Sequence, residues 1–283
     1  MYKNNPDLKV AIVALTRGYN GDLQKYKELI KRNKSINSLI NSKIQFPYPL
    51  ILFHEGNIPK VDQEYIQKHS EDYIKFIDVH EVFEKYKNID GYTIMCKFQM
   101  YYIWKYVEEF DYIIRIDEDL ELKNFNLKAI DNMNRFNIDC YFSKLSFESH
   151  SLTNETLPKK IAEIFNTNDT KFYNHLFPYT NFFITKVRIW NEKSVKTKLK
   201  NIAESELQSQ YRWGDLPVLG CFINIKQFKS KRLKKLSYIH TSHNVVIKND
   251  FYSFILDIFH YKRVFLKYPN LLKFLKKLYK LVK

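Results

Sequence analysis

Short apolar segments alternate with amphipathic segments through the first part of the chain. The apolar segments cover 10–15, 48–53, 74–78 and 112–116, and residues at helical spacing lie between them over 23–33, 62–69 and 92–107. Continuous apolar segments of this length are typical of strands buried on both faces of a parallel sheet. Strands that alternate with helices favour an α/β fold with a mostly parallel sheet. Asp22 precedes the first helical segment, where we expect its side chain to form the N-cap.

The rest of the chain is less regular. We predict a helix over 124–137, a strand over 139–143, and an apolar segment over 178–185 that is followed by helix up to residue 209. The polar segment 150–168 has the composition of an insertion or of a loop near a bound acceptor. These patterns predict one catalytic domain over 1–245 and a C-terminal appendage over 246–283.

Three consecutive acids, Asp117, Glu118 and Asp119, follow the predicted strand 112–116. Asp117 and Asp119 are two residues apart, so on an extended backbone both carboxylates leave the strand on the same side. Paired carboxylates suit Mg²⁺ or Mn²⁺, and Mg²⁺ completes its shell with water and substrate phosphate. The motif therefore indicates a metal–diphosphate site, with a charged turn that closes a core strand as the alternative.

The carboxyl ends of the parallel strands should meet along one rim of the sheet, where ligands bind in folds of this class. Thr16 and Arg17, His54 and Glu55, and the acids at 117–119 all follow such strands. Arg17 is a fixed cation that suits a phosphate group. Its alternative interpretation is a solvated arginine in a loop.

Composition restricts the classes of protein that remain. The chain has 283 residues, of which 45% are hydrophobic, as expected for a globular domain with a substantial core. It contains 6 glycines and neither a Gly-rich dinucleotide fingerprint nor a P-loop. Cys96, Cys140 and Cys221 are too widely spaced to predict a disulfide framework or a metal site. Because no signal peptide and no apolar segment of about 18 residues is present, we expect a cytoplasmic protein.

The positive charge is concentrated near the C-terminus. The net charge is +15, and residues 231–283 carry thirteen basic and two acidic side chains, a net +11. Apolar residues between 271 and 282 recur at helical spacing with lysines between them, which is typical of an interfacial amphipathic helix. We expect residues 264–283 to contact an anionic membrane surface, with a helix packed on the domain as the alternative. No nucleic-acid-binding motif is present, so nucleic acid is not an expected partner.

Four motifs occur in order along the chain. They are Cys96-Lys97 in an aromatic helix, the acids after strand 112–116, Arg-Trp-Gly-Asp-x-Pro-Val at 212–218, and Tyr238-x-His240. In this combination the sequence resembles the fungal α-1,2-mannosyltransferases of N- and O-glycan synthesis. That resemblance implies a GT-A fold, Mn²⁺ or Mg²⁺ as the metal, and GDP-mannose as donor, with a UDP-sugar as the alternative. It also implies a glycan or a lipid-linked glycan as acceptor.

The resemblance assigns the metal and the donor diphosphate to Asp117 and Asp119, with His240 as a third metal ligand. A neutral imidazole completes a mixed oxygen and nitrogen shell that suits Mn²⁺ better than Mg²⁺. The alternative for His240 is an ordinary core or surface histidine. Arg17 would assist by offsetting charge on the departing diphosphate.

Asp215 lies in the most specific of the four motifs, and we predict that it is catalytic and orients the acceptor hydroxyl. The predicted substrate-binding residues are Glu148, Tyr179, Arg212 and Trp213. Each has a structural alternative, which for Trp213 is packing in the core.

One position departs from the family pattern. Where the family has Ser-Asn-Phe-Glu-Ile, with Glu as the proposed nucleophile or transition-state stabiliser, this chain has Thr-Asn-Phe-Phe-Ile at 180–184. Phe183 cannot act as a nucleophile, whereas metal-assisted departure of a nucleoside diphosphate needs none. We therefore expect a metal-dependent hexosyltransferase, with mannose favoured. The alternatives are a catalytically inactive protein of the same fold and a basic nucleic-acid-binding protein.

Overall fold

A seven-stranded mixed sheet forms the centre of the protein. The computed structural model describes residues 1–243 and 245–247. Within them, the spatial order of the sheet is β10 (Ser230–Arg232), β6 (Cys140–Phe142), β9 (Phe182–Lys186), β4 (Tyr112–Ile116), β1 (Val10–Thr16), β2 (Leu50–His54) and β3 (Ile74–Asp78).

Most neighbouring strands in this sheet are parallel. β1 pairs in parallel with β2 and β4, β2 with β3, and β6 with β10, whereas β9 runs antiparallel between β4 and β6. The carboxyl ends of β1, β2 and β4 therefore lie along one edge, as expected. This arrangement confirms the predicted α/β class, a GT-A-like, mixed and mostly parallel sheet flanked by helices.

Helices cover both faces of the sheet. The α-helices are α1 (Lys27–Leu39), α2 (Lys60–His69), α3 (His80–Lys85), α4 (Gly91–Lys97), α5 (Ile103–Tyr106), α6 (Ala129–Arg135), α7 (Ser151–Phe165), α8 (Arg188–Asn191), α9 (Lys193–Ala203), α10 (Glu206–Gln210) and α11 (Asp215–Ile225). A π-helical turn at Phe98–Tyr102 joins α4 to α5, and short 3₁₀ turns occupy Leu23–Tyr26, Asn41–Lys43 and Thr241–His243.

Two smaller sheets flank the rim. One has the order β12 (Val245–Ile247), β11 (Ser237–His240) and β5 (Leu120–Asn124), and the other pairs β7 (Leu145–Phe147) with β8 (Leu176–Pro178). β11 runs antiparallel to β5, with His240 opposite Leu120. This pairing brings a residue from late in the chain next to the acids that follow β4.

Successive residues of the central strands serve two separate cores. In β1, Ala11 and Val13 belong to the cluster on one face, and Val10, Ile12 and Ala14 belong to the cluster on the other. Because side chains alternate across a strand, a strand buried on both faces must be apolar at every position. The continuous apolar segments seen in the sequence are therefore explained by burial on both faces.

The structure differs from the predicted elements at several places, among them the segment 150–168, where Ser151–Phe165 form helix α7. The first helical segment begins as a 3₁₀ turn before α1, and the side chain of Asp22 makes no capping hydrogen bond. Residue 124, predicted to start a helix, instead ends β5, and α6 begins at Ala129. In β5 the buried Leu120 and Leu122 alternate with less buried residues, and this two-residue period is too short to stand out in the sequence.

The predicted amphipathic helix and its membrane contact at 264–283 lie outside the described residues, as does nearly all of the appendage predicted over 246–283. Among the helices of the described part of the chain, none combines the length and the apolar character that crossing a bilayer requires.

Helix α11 approaches β8 so closely that only glycine fits at position 220. A Cβ atom there would lie 2.2 Å from Cδ1 of Phe177. We expect Gly220→Ala to lower the free energy of unfolding by about 1–3 kcal/mol through overpacking, despite the higher helix propensity of alanine. Urea unfolding measures the change. Gly91→Ala is the matched control, because a Cβ at position 91 meets nothing within 4 Å. Equal stability of the two variants would contradict the prediction.

Candidate active site

The three acids leave β4 in a tight turn. The strand ends at Ile116, and the N–H of Leu120 donates to the carbonyl of Asp117 at 3.2 Å. The N–H of Asp117 donates to the carbonyl of Asn181 at 3.0 Å, which ties the turn to the start of β9. The expected extended backbone over 117–119 is therefore not found, and the expectation that the carboxylates of Asp117 and Asp119 leave on the same side stays a prediction. Each carboxylate meets a different partner.

Asp117 belongs to a buried charge network centred on Arg115. Arg115 Nε lies 3.2 Å from Asp117 Oδ1, and Arg115 Nη1 lies 2.6 Å from Asp215 Oδ2. The side chains of Arg115 and Asp215 are only 7% and 9% exposed. Burial alone would lower the pKa of Arg115, but the two carboxylates outweigh it and raise the pKa above its ordinary value. Burial raises the pKa of Asp117, and Arg115 opposes that rise.

Asp215 reaches this network from the first turn of α11, where the helix dipole stabilises a negative charge. The thiol of Cys96, on α4, donates to Asp215 Oδ1 at 3.7 Å. A carboxylate has about four acceptor positions on its two oxygens. With Arg115 and Cys96 as its partners, Asp215 retains capacity to accept a hydrogen bond from a further hydroxyl.

Glu118 turns back toward the end of β1. The hydroxyl of Thr16 donates to its carboxylate, and burial raises the pKa of Glu118 to about 7 while Thr16 and Arg17 oppose the rise. Arg17 is exposed, with its guanidinium 5.6 Å from the ring centre of Tyr19. Tyr19, and to a smaller extent Glu118 and Glu55, raise the pKa of Arg17. Arg17 therefore lies on the rim, as predicted, and is accessible to an anion.

Asp119 and His240 form a second pair at the turn, close enough for both charges to act on the pKa of Asp117. His240 Nε2 lies 3.0 Å from Asp119 Oδ1, and the N–H of Ser242 donates to Asp119 Oδ2 at 3.0 Å. Burial acts to raise the pKa of Asp119, but the hydrogen bonds from His240 and Ser242 outweigh it and hold the pKa well below its usual range. Asp119 is therefore an ionised carboxylate beside an imidazole.

A chain of buried polar groups supports His240 from behind. Asn181 Nδ2 lies 2.9 Å from His240 Nδ1, and the hydroxyl of Tyr238 lies 3.0 Å from Asn181 Oδ1 and 2.8 Å from Ser143 Oγ. All four side chains belong to buried residues. Such outer contacts fix the ring orientation and the tautomer of a metal-binding histidine.

The predicted sugar-binding residues fall into two groups. Tyr179 lies on the His240 side, with its ring centre 6.4 Å from the imidazole and the ammonium of Lys144 4.9 Å from the ring centre. Arg212 lies on the Asp215 side, 4.7 Å above the ring of Tyr92. Glu148 belongs to the same side, because its charge acts on Tyr92, although its Oε1 also accepts the N–H of His150 at 2.7 Å.

Trp213 is buried beneath this surface. It is 1% exposed, and its indole N–H donates to Thr156 at 2.9 Å. These contacts agree with the structural alternative for Trp213, in which the ring supports the neighbouring Arg212 and Gly214.

The structure therefore gathers Asp117 with Asp215, and Asp119 with His240. In residues 1–243 and 245–247, no group of three or more His, Cys, Asp or Glu side chains is arranged to hold a metal ion. The donor set that does fit a divalent cation is the ionised oxygen of Asp119 with the imidazole of His240, which leaves the remaining positions to water and phosphate oxygens. The assignment of Asp117, Asp119 and His240 as metal ligands stays a prediction.

Sequence reasoning missed several residues of the site. Arg115 interrupts the apolar strand that precedes the acids, and a charge inside a buried strand requires a partner of opposite sign. The position of Arg115 inside an apolar strand could therefore have identified it as part of a charge network. Arg32, on α1, is fully buried and donates to the carbonyl of Ile116 at 3.0 and 3.2 Å. Burial lowers its pKa to about 9, against the raising effect of the acids.

Tyr92 also gave no sequence signal of its own. Its ring is 47% exposed beside Arg212, and its hydroxyl lies 3.3 Å from the position that a Cβ would take at Gly214. Cys96, burial and the charge of Asp215 raise the pKa of Tyr92 above its ordinary range, so its hydroxyl remains protonated. Tyr92 therefore offers an apolar ring and a hydrogen-bond donor next to Asp215.

Comparison with solved structures shows a shared fold. Core-mannan synthase A from Aspergillus fumigatus, in its Mn/GDP form, matches with a TM-score of 0.67 and 16% identity, over 83% of this chain and 75% of that one. The mannosyltransferase Ktr4p from S. cerevisiae matches with a TM-score of 0.67 and 15% identity, over 84% and 72%. Mouse xyloside xylosyltransferase 1 matches with a TM-score of 0.53 and 10% identity, over 79% and 84%.

No protein-family model and no curated protein matches the sequence. The chain thus has the fold of nucleotide-sugar glycosyltransferases. The expected resemblance to the fungal mannosyltransferases is confirmed at the level of that fold.

Arg115 is expected to be essential for stability because it neutralises the buried carboxylate of Asp215 and the carboxylate of Asp117, which is 29% exposed. Arg115→Met should lower the free energy of unfolding by about 3–5 kcal/mol, since Asp215 would remain buried without a cation. Urea unfolding of the metal-free protein measures this change. Lys87→Met is the control, because it removes a cation whose pair with Glu84 is 68% and 67% exposed and is worth about 1 kcal/mol or less.

The double variant R115M/D215N provides a second measurement. It should lose less stability than the two single changes added together, because the uncompensated charge is partly removed. A loss for Arg115→Met no larger than that for Lys87→Met would contradict the proposed role of the network.

Proposed function

We propose that the protein is a metal-dependent glycosyltransferase that moves a hexose from a nucleoside diphosphate sugar to a hydroxyl group of a glycan or glycolipid. The observation that carries this proposal is the pairing of Asp119 with His240 at the carboxyl end of the parallel strands. The fold adds support, because it is shared by core-mannan synthase A in its Mn/GDP form and by Ktr4p in complex with GDP. These neighbours favour mannose as the sugar and GDP as the carrier.

The proposed donor site uses the rim from Asp119 to Arg17. Asp119 and His240 would hold a divalent cation, which when bound offsets the negative charge of the departing diphosphate. Arg17 is exposed on the same rim and would contact a phosphate oxygen. Arg115 fixes the carboxylate of Asp117 through an ion pair, and from that position Asp117 would contact the bound donor.

The proposed acceptor site lies on the other side of Asp117. Asp215 is fixed by Arg115 and Cys96 and retains acceptor capacity, so it would orient the attacking hydroxyl. Tyr92 would pack against the acceptor ring and donate a hydrogen bond beside Asp215. The exposed Arg212 covers part of the Tyr92 ring and would limit the shape of acceptor that fits beside it.

Phe183 is a core residue. It lies opposite Arg115 in the pairing of β4 with β9 and is 1% exposed. It therefore supplies no nucleophile, and the proposed reaction uses no covalent intermediate at that position. A catalytically inactive protein of this fold is the competing interpretation, which activity measurements decide.

Donor use is tested by supplying the full-length protein with Mn²⁺ and a panel of GDP- and UDP-sugars and measuring the released nucleoside diphosphate. We expect release to require the metal and to be fastest with GDP-mannose. Asp119→Ala should reduce the rate at least 100-fold, in line with losses on removal of a charge-stabilising group, without changing the unfolding midpoint by more than a few degrees.

Asp22→Ala is the control, because Asp22 is a half-exposed acid whose carboxylate lies 3.5 Å from the ammonium of the exposed Lys25. Wild-type activity in Asp119→Ala would contradict the proposed site. No release from any donor would favour the inactive interpretation.

Acceptor recognition is tested at Tyr92 with methyl glycosides of common hexoses as acceptors. Tyr92→Leu should raise the acceptor KM and leave the donor KM unchanged, because the ring is on the Asp215 side. Tyr92→Phe keeps the ring and should cost about 1–2 kcal/mol of transition-state stabilisation through the lost hydrogen bond. Tyr73→Phe, at an 81% exposed ring, is the control. Equal changes in both KM values would contradict an acceptor-specific role.

A further inference from the structure

The side chain of Asn181 contacts His240, with Nδ2 of the amide 2.9 Å from Nδ1 of the imidazole. It is 3% exposed, and its backbone carbonyl also receives the N–H of Asp117. Asn181 therefore contacts the first residue of the turn directly, and it is linked to Asp119 through His240. It is placed to influence His240 without reaching the rim itself.

The hydrogen bonds of the described arrangement define one tautomer of His240. Nδ2 of Asn181 is a donor, so Nδ1 of His240 accepts, and the imidazole proton lies on Nε2. That proton points to Asp119 Oδ1 at 3.0 Å. In this arrangement Nε2 has no lone pair to offer a cation.

A second arrangement of the same side chains satisfies every group except Asp119, which loses the proton of His240 Nε2 and faces its lone pair unless a cation lies between them. Rotation of the Asn181 amide by half a turn exchanges its oxygen and nitrogen without moving the backbone. Oδ1 then accepts a proton from Nδ1 of His240, and Nε2 becomes a bare nitrogen facing Asp119. Nδ2 donates to the hydroxyl of Tyr238, whose own proton passes to Ser143 Oγ, 2.8 Å away.

We propose that Asn181 is a positioning residue whose amide orientation selects the tautomer of His240, and that the Asn181–Tyr238–Ser143 chain couples this choice to binding of a divalent cation. The metal-free protein takes the arrangement with the proton on Nε2. Cation binding to Asp119 and His240 requires the rotated arrangement. This inference rests on the metal site of the proposed function.

Ser143 gives a sharp test because it does not contact His240 in the described hydrogen bonds. In the metal-free arrangement the Tyr238 proton is accepted by Asn181, whereas in the rotated arrangement it needs Ser143. Ser143→Ala should therefore leave a buried donor unsatisfied only in the metal-binding arrangement. We expect Mn²⁺ affinity, measured by electron paramagnetic resonance, to fall about threefold to tenfold.

Thr185→Val is the matched control. It removes another fully buried hydroxyl, which accepts the indole N–H of Trp190 at 2.8 Å. Its expected effect on Mn²⁺ affinity is nil. A purely structural effect of losing a buried hydroxyl would instead weaken Mn²⁺ binding in both variants.

A double-mutant cycle tests whether Asn181 carries the coupling. In the backgrounds Asn181→Leu and Tyr238→Phe, the chain is broken, so adding Ser143→Ala should change Mn²⁺ affinity less than twofold. The two backgrounds provide independent measurements, so that one informative cycle remains if the other variant does not fold. A full Ser143→Ala effect in either background overturns the proposal.

The tautomer itself is observed by ¹⁵N NMR of His240, with Cd²⁺ as a diamagnetic probe ion. We expect the proton on Nε2 in the metal-free protein and on Nδ1 after Cd²⁺ is added. A metal-free His240 with its proton on Nδ1, or with protons on both nitrogens, overturns the proposal while leaving the metal site intact. If neither Mn²⁺ nor Cd²⁺ binds, the metal site of the proposed function fails, and the role of Asn181 fails with it.

Discussion

Three acidic side chains leave the central sheet at one point, the carboxyl end of β4, and the fold must accommodate all of them. Burying an ionised carboxylate is costly unless a cation or several hydrogen bonds compensate it. Asp117 is compensated from within its own strand by Arg115, Glu118 by Thr16 at the end of β1, and Asp119 by His240 from β11. The turn therefore connects the central sheet, the small sheet and α11. A change to any one of these elements alters the electrostatics of all three acids.

The chemistry of the site depends on which cation or hydrogen-bond donor each acid is paired with. Arg115 joins Asp117 to Asp215, so two carboxylates of the same sign are held close together by one cation. Asp119 pairs with His240 instead and remains ionised. In the proposed function these two pairs mark a donor side and an acceptor side that meet at Asp117. Such a division suits a transfer between two bound substrates, because each can be fixed independently before they react.

Much of the central sheet could be predicted because strands buried on both faces must be continuously apolar. The segments that became β1, β2 and β4 carried that signal, interrupted in β4 only by Arg115, whereas β3 is an edge strand in which only Ile74 is buried. The relative directions of Asp117 and Asp119 could not be predicted, because a residue spacing has a fixed meaning only while the backbone stays extended. The partners Arg115, Asn181 and Tyr92 depend on contacts between distant segments, which a single sequence does not reveal.

The pairing of β5 with β11 has a consequence for how the protein folds. Asp119 and His240 close a loop of about 120 residues, and closing a loop of that length costs configurational entropy that grows only slowly with its size. Contacts of such long range tend to form late and to slow folding. A cation that bound only the closed loop would stabilise the folded state in proportion to RT ln(1 + [L]/Kd), with [L] the free cation concentration. The supply of metal ion in the surroundings would then govern how much of the chain is folded as well as how fast it turns over.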